Sequence, residues 1–161
     1  MKLHLTCLAI LFFIFGCAGS QVDPKNIYGA EILDYGICTI NLKETVSSDT
    51  TASGGYNVTE GVKFTKKTTN IPAEKEISFG IKYVVNGKPE GSKVKLKVIA
   101  IHPPIKGRTK SSAMVDAKVG TWRADFYTFN ENYELVEGEW IFQIYYKNNL
   151  LIEKSFTVSK S

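Results

Sequence analysis

Lys93-Val94-Lys95-Leu96-Lys97-Val98-Ile99-Ala100-Ile101 is the stretch that decides the fold. Successive side chains of a strand point to opposite faces, so a period of two marks a half-buried strand. Here Val94, Leu96, Val98 and Ala100 face inward, and Lys93, Lys95 and Lys97 face outward. The same period recurs on both sides. Ile77 to Val85 places Ile77, Phe79, Ile81, Tyr83 and Val85 on one face, and Asn86-Gly87 then reads as a turn, since both residues tolerate positive φ. Glu139 to Tyr146 sets Trp140, Phe142, Ile144 and Tyr146 against Glu139, Ile141, Gln143 and Tyr145. Asn148-Asn149 reads as a tight turn into Leu150 to Val158. Further runs cover Ala30 to Leu42, Val62 to Ile71 and Val119 to Phe129, and helical periodicity is absent.

About seven strands joined by turn-rich connections predict an all-β domain: an immunoglobulin-like antiparallel β-sandwich, with a β-barrel as the alternative. Leu135-Val136-Glu137-Gly138-Glu139-Trp140 resembles the turn entering the penultimate strand of bacterial immunoglobulin-like domains. The glycine lets the chain turn, and Trp140 then fills the space between the sheets. Two connections are long. Lys43 to Gly61 is rich in Ser, Thr and Gly and is expected to be mobile. Pro103 to Lys118 follows His102-Pro103-Pro104 and carries Lys106, Arg108 and Lys110.

The N-terminus reads as an export signal. Lys2 supplies the positive start, Leu5 to Phe15 is apolar apart from Thr6 and Cys7, and small residues follow. About ten apolar residues cannot span a bilayer core, which takes roughly 20 in a helix. Two cleavages compete. Ile14-Phe15-Gly16-Cys17 resembles a lipobox with an unusually bulky residue before the glycine, and predicts lipidation of Cys17. Cleavage after Ser20, with Ala18 three residues back, would instead release a soluble periplasmic or secreted protein. The expected organisation is a signal peptide over 1–16, a tether over 17–28 and the sandwich over 29–161. Ala18 after the cysteine resembles the sorting pattern of outer-membrane lipoproteins.

The formal charge of the 161-residue chain is +4. Loss of Lys2 makes it +3, too mild to argue for nucleic acid, which export also disfavours. Cys7 leaves with the signal and lipid would take Cys17. Cys38 then remains alone, so no internal disulfide is expected and its thiol belongs in the core.

Several stretches, in order, resemble the bacterial family known as domain of unknown function 3859. They are Ala30-Glu31-Ile32-Leu33-Asp34-Tyr35-Gly36-Ile37, Asn70-Ile71-Pro72-Ala73, Phe79-Gly80-Ile81-Lys82-Tyr83-Val84-Val85, His102-Pro103-Pro104, Tyr133 to Trp140 and Phe142 to Tyr146. The similarity runs from about residue 30 to 158. Cys38 stands where an aromatic is expected and Tyr133 where a Trp is expected. The resemblance implies an exported β-rich domain and no particular reaction.

Reactive constellations are sparse. A Ser-His-Asp or Cys-His set would have to use His102, and no Gly-x-Ser-x-Gly elbow is present. His102 reads more simply as a strand-end residue hydrogen-bonding within the Pro-Pro turn. One Cys and one His cannot make a zinc cluster, Asn130-Glu131-Asn132 only faintly echoes a calcium loop, and no metal or cofactor is expected. Glu131, Glu134, Glu137 and Glu139 read as a solvated acidic edge rather than a hydrolytic pair. Residues 82 to 110 hold eight basic residues and one acidic, whereas residues 124 to 140 hold five acidic and none basic. A basic surface for envelope polymers or a protein competes there with an exposed sheet face. Tyr127, Tyr133 and Tyr145, with His102, are the candidate ligand contacts, as a platform for sugar or peptide. The expected function is a membrane-anchored, non-catalytic β-sandwich binding an envelope protein or glycan. A carboxylate-based hydrolase and an assembly accessory are the alternatives.

Overall fold

The computed structural model describes residues 26–160, without the side chains of residues 56–58. The signal segment, Cys17 and the tether up to residue 25 lie outside the described residues. The alternation read from the sequence becomes two packed sheets. Strands β1 (Asn26–Ser47), β2 (Gly55–Lys66), β4 (Ser78–Lys88) and β7 (Trp122–Thr128) make one sheet, in the order β2-β1-β4-β7. Strands β3 (Asn70–Pro72), β5 (Lys93–Ile105), β6 (Arg108–Lys118), β8 (Gly138–Tyr146) and β9 (Asn149–Ser159) make the other, in the order β3-β9-β8-β5-β6. A single 3₁₀ turn, Asn132–Glu134, precedes β8. Every pair is antiparallel except the short β3, which runs parallel to β9.

The core lies between the sheets, on the faces the alternation assigns to it. Phe79, Ile81, Tyr83 and Val85 of β4 are buried, as are Val94, Leu96 and Ala100 of β5 and Trp140, Phe142 and Ile144 of β8. Lys93, Lys95 and Lys97 are exposed. The Phe79 ring is the centre of the packing, with Phe129, Trp140, Phe142 and Phe156 at 5.4–5.8 Å between centroids. Each buried ring contributes about 1.5–3 kcal/mol by leaving water, and tilted or edge-on contacts add roughly 0.5–1.5 kcal/mol a pair. Cys38 is buried, and burial pushes its thiol pKa up to about 12.

Several boundaries differ from the sequence reading, each for a local reason. The expected mobile connection from Lys43 to Gly61 is the far half of a long hairpin. β1 and β2 stay paired out to Ser47 and Gly55, and the tip is tied by Thr51 Oγ1 donating to the Ser48 and Gly55 carbonyls. Ser and Thr suit an edge hairpin as well as a loop. Asn86-Gly87 is not a turn. Both residues pair with β1, and the chain turns at Pro89–Ser92, where Gly91 has φ +75°. Pro103 to Lys118 is likewise a hairpin, turning at Lys106-Gly107. Its prolines are tolerated because β8 stops pairing at Ile101, beyond which β5 needs few ladder donors. The last hairpin turns one residue early, at Lys147-Asn148, with Tyr146 opposite Asn149. Ile71 leaves the Val62 run to join the second sheet as β3. β1 begins at Asn26, three residues inside the expected tether.

Candidate functional site

β6 and β7 are the free edges of opposite sheets, and they lie on the same side of the sandwich. Between them runs a groove of about 950 Å³, roofed at one end by the tip of the β1–β2 hairpin. Its two walls differ in chemistry. Val98, Ala100, Ala113, Val115 and Ala117 form the wall from the second sheet. β6 turns only small side chains inward, so the edge stays open where larger ones would close it. The opposite wall is Arg123, Asp125 and Tyr127 of β7, which sit opposite Tyr83, Ile81 and Phe79 and share their inward face.

Arg123 and Asp125 lock to each other. The guanidinium donates from Nε to Oδ2 at 3.0 Å and from Nη2 to Oδ1 at 2.8 Å, and Tyr83 Oη donates to Oδ2 at 2.7 Å. Burial works against the Arg123 charge, but the Asp125 carboxylate outweighs it and holds the proton more tightly than usual. Burial, then the Asp125 charge, pushes the Tyr83 hydroxyl pKa far up. Arg123 Nη1 also donates to the Asp116 carbonyl at 3.2 Å, a side-chain bond that crosses the groove from β7 to β6.

The roof is held by a one-way relay. The Ala52 amide donates to Ser111 Oγ at 2.8 Å, Ser111 lies 3.3 Å from His102 Nε2, and His102 Nδ1 lies 2.8 Å from the Pro103 carbonyl. Only the neutral tautomer with the proton on Nδ1 satisfies every partner: Nδ1 donates to Pro103, and Nε2 accepts from the Ser111 hydroxyl. Burial lowers the His102 pKa accordingly, partly offset by the bond to Pro103. This Ser–His contact is a structural latch. Ser111 and Ala52 are both buried, and Nδ1 is oriented by a carbonyl rather than a carboxylate.

The other candidate residues are placed as follows. Tyr127 lines the groove, but its ring is packed edge-on to Trp140 at 4.8 Å and its hydroxyl donates to Glu134 Oε1 at 3.1 Å. Burial and the Glu134 charge push that hydroxyl pKa far up. His102 packs on Trp140 at 5.0 Å, so His102 and Tyr127 belong to one aromatic cluster. Tyr133 is exposed, with Lys106 Nζ 3.6 Å from its ring centroid. Tyr145 lies elsewhere, on the outer face of the second sheet, and donates to Gln143 Oε1. The tyrosines therefore form no continuous platform.

The acidic edge divides. Glu131, Glu137 and Glu139 are exposed, and Glu137 pairs with Lys160 at 3.3 Å. Glu134 departs from the solvated reading: it is fully buried, and its Oε2 accepts from the Asn130 and Glu131 amides at 2.7 and 3.0 Å. Among the described residues no group of three or more His, Cys, Asp or Glu side chains could hold a metal ion. The groove's own acid–base pair went unread in the sequence, although Arg123-Ala124-Asp125 has the spacing that puts both charges on one face of a strand.

No curated protein matches the chain. Among solved structures, an immunoglobulin-like protein from Pseudomonas aeruginosa is similar, at 27% sequence identity and a TM-score of 0.55, over 88% of this chain and 100% of that one. The sandwich is therefore immunoglobulin-like, as expected. A family model matches residues 28–158, nearly everything the structure describes, and the chain belongs to that family, Domain of unknown function (DUF3859).

Proposed function

We propose that this protein is an exported lipoprotein, tethered through Cys17, whose sandwich acts as a non-catalytic interaction module of the cell envelope. The groove between β6 and β7 carries this reading. It is large and half apolar, yet each titratable group on its walls that lies deep enough to be tuned for catalysis is already tied. Arg123 and Asp125 satisfy each other, and the Tyr127 hydroxyl is held by Glu134. A general acid or base needs a proton-transfer partner within reach and a matched pKa; a recognition surface needs neither. The candidate hydrolytic carboxylates are separated into one buried Glu134 and three exposed side chains.

The anchor is supported by the lipobox-like Ile14 to Cys17 and by Ala18, which favours the outer membrane. Acyl chains on one cysteine hold a protein at a surface because each buried CH₂ contributes about 0.8 kcal/mol. Palmitate labelling of wild type and Cys17→Ser tests it. Label on wild type alone is expected; label on both, or a mature chain starting at Gln21, refutes it. The interaction is tested by chemical crosslinking in native envelopes and mass spectrometry of the captured material. A reproducible envelope component is expected, and its absence refutes the reading.

A further inference from the structure

The edge of β6 is half used. Ser112 donates its amide to the Thr50 carbonyl at 2.9 Å, and its own carbonyl accepts from Thr50 Oγ1 at 2.6 Å. The hairpin tip thus bonds β6 on the side away from β5, as a neighbouring strand would. Main-chain groups of an antiparallel strand alternate in direction along the chain. Those of Met114 and Asp116 must therefore point the same way as those of Ser112. The Asp116 carbonyl confirms the direction, since it accepts from Arg123 across the groove. Among the described residues the outward amide and carbonyl of Met114 and the outward amide of Asp116 have no partner, because no strand lies beyond β6.

Resting on the interaction reading above, we infer that this groove is a strand-acceptor site: an extended polypeptide segment continues the pairing that Thr50 begins, bonding the outward edge of β6 from Met114 toward Lys118 and taking the place of Arg123 Nη1 at the Asp116 carbonyl. Unpaired edge groups ask for a main chain, which a glycan or lipid cannot supply in register. Met114 to Lys118 spans about 14 Å at roughly 3.4 Å a residue, room for about five residues of partner. The side chains of that segment alternate. Those turned inward enter between Ala113, Val115 and Ala117 on one wall and the Arg123–Asp125 pair on the other. The space and its mixed chemistry select small side chains there: Ala, Ser, Thr or Val. Those turned outward lie beside exposed Met114 and meet solvent.

The edge itself supplies a clean test. The Met114 amide makes no bond to β5, so Met114→Pro removes a donor from the partner's ladder and none from the fold's own, as prolines on edge strands do. A benzophenone amino acid in place of Thr121, an exposed residue lining the groove, is photolysed in intact cells, in the wild-type and Met114→Pro backgrounds. Met114→Ala is the control for side-chain loss, and thermal unfolding checks that each variant folds. The expected result is a polypeptide adduct, mapped to a segment with small residues at alternate positions. It should fall at least tenfold in Met114→Pro and persist in Met114→Ala. An adduct unchanged by Met114→Pro, or one made to a glycan or lipid, overturns the strand-acceptor site. A second probe at Tyr145, on the outer face of the other sheet, separates the two levels of the argument. Adducts at 145 alone leave an interaction module without this site, and adducts at neither position refute both.

Discussion

Removing the Glu134 side chain should destabilise the domain strongly. Glu134 is fully buried and accepts three hydrogen bonds, from Tyr127 Oη and the amides of Asn130 and Glu131. In Glu134→Ala those donors lose their acceptor. Asn130 and Glu131 are exposed, so water can replace part of the loss, which limits each amide to about 1 kcal/mol. The half-buried Tyr127 hydroxyl adds about 1 kcal/mol more, and the one methylene removed from a packed site adds about 0.8 kcal/mol. The total is about 4 kcal/mol. With a urea slope of about 2 kcal/mol per molar, the unfolding midpoint should fall by about 2 M. Glu134→Gln keeps the methylenes. Its carbonyl oxygen can take both amides while its NH₂ donates to Tyr127, whose hydroxyl reverses from donor to acceptor. The cost should then be about 1 kcal/mol, a shift of roughly 0.5 M. Urea titration followed by tryptophan fluorescence measures both variants. An Ala midpoint within about 0.3 M of wild type, or a Gln variant as weak as Ala, would refute the assignment of Glu134 as the group that organises the turn before β8.

Three further outcomes are expected. In Gly80→Ala the new Cβ would collide with the Asp125 carbonyl and lie 2.6 Å from Phe126 Cα. β7 must shift off β4, at a cost of about 1–3 kcal/mol, visible as a lowered thermal midpoint; an unchanged midpoint would contradict the close approach of these strands. The pKa of His102 is lowered in the fold, so the unfolded chain binds its proton first as pH falls. Its contribution is complete above the unfolded value of about 6.5 and is lost below it, at up to about 1.4 kcal/mol per pH unit. Urea midpoints from pH 7.5 to 5 should fall less steeply in His102→Gln than in wild type, and parallel slopes would argue against the relay to Ser111. Finally, the Cys38 thiol, buried and pushed up to about 12, should resist iodoacetamide in the native protein and react once urea unfolds it. Peptide mass spectrometry locates the label, and rapid native alkylation at Cys38 would place that side chain outside the core.

The sandwich was legible because its core strands obey the period of two. Phe79, Ile81, Tyr83 and Val85 are all buried, and Gly138, at φ +131°, turns the chain so that Trp140 enters the core. A side chain on Gly138 would meet Pro103 Cγ at 2.9 Å, a contact between distant parts of the chain that no local pattern announces. Edge strands were harder to read. Residues 43–61 and 103–118 are polar, Gly-bearing or Pro-bearing because edges face water and need fewer ladder bonds, and the same composition marks loops. One wall of the groove, β6, is such an edge, so the groove was hidden for the same reason. Glu134 misled through its neighbours: four acidic residues within nine positions look solvated, and only the 3₁₀ turn of Asn132–Glu134 folds one of them inward.

The length of β1 has an architectural consequence. The described chain begins at Asn26, at one end of that strand, and runs 22 residues before it reverses at the hairpin tip. At about 3.3 Å a residue that is a mast of at most roughly 70 Å. A membrane tether on the N-terminal side would hold the foot of the mast, while the tip that roofs the groove rides at its head. The open edge of β6 would then run down the side of the domain, from the head at Ser112 toward the foot, where Gly120 bonds the Val85 carbonyl opposite Ala30.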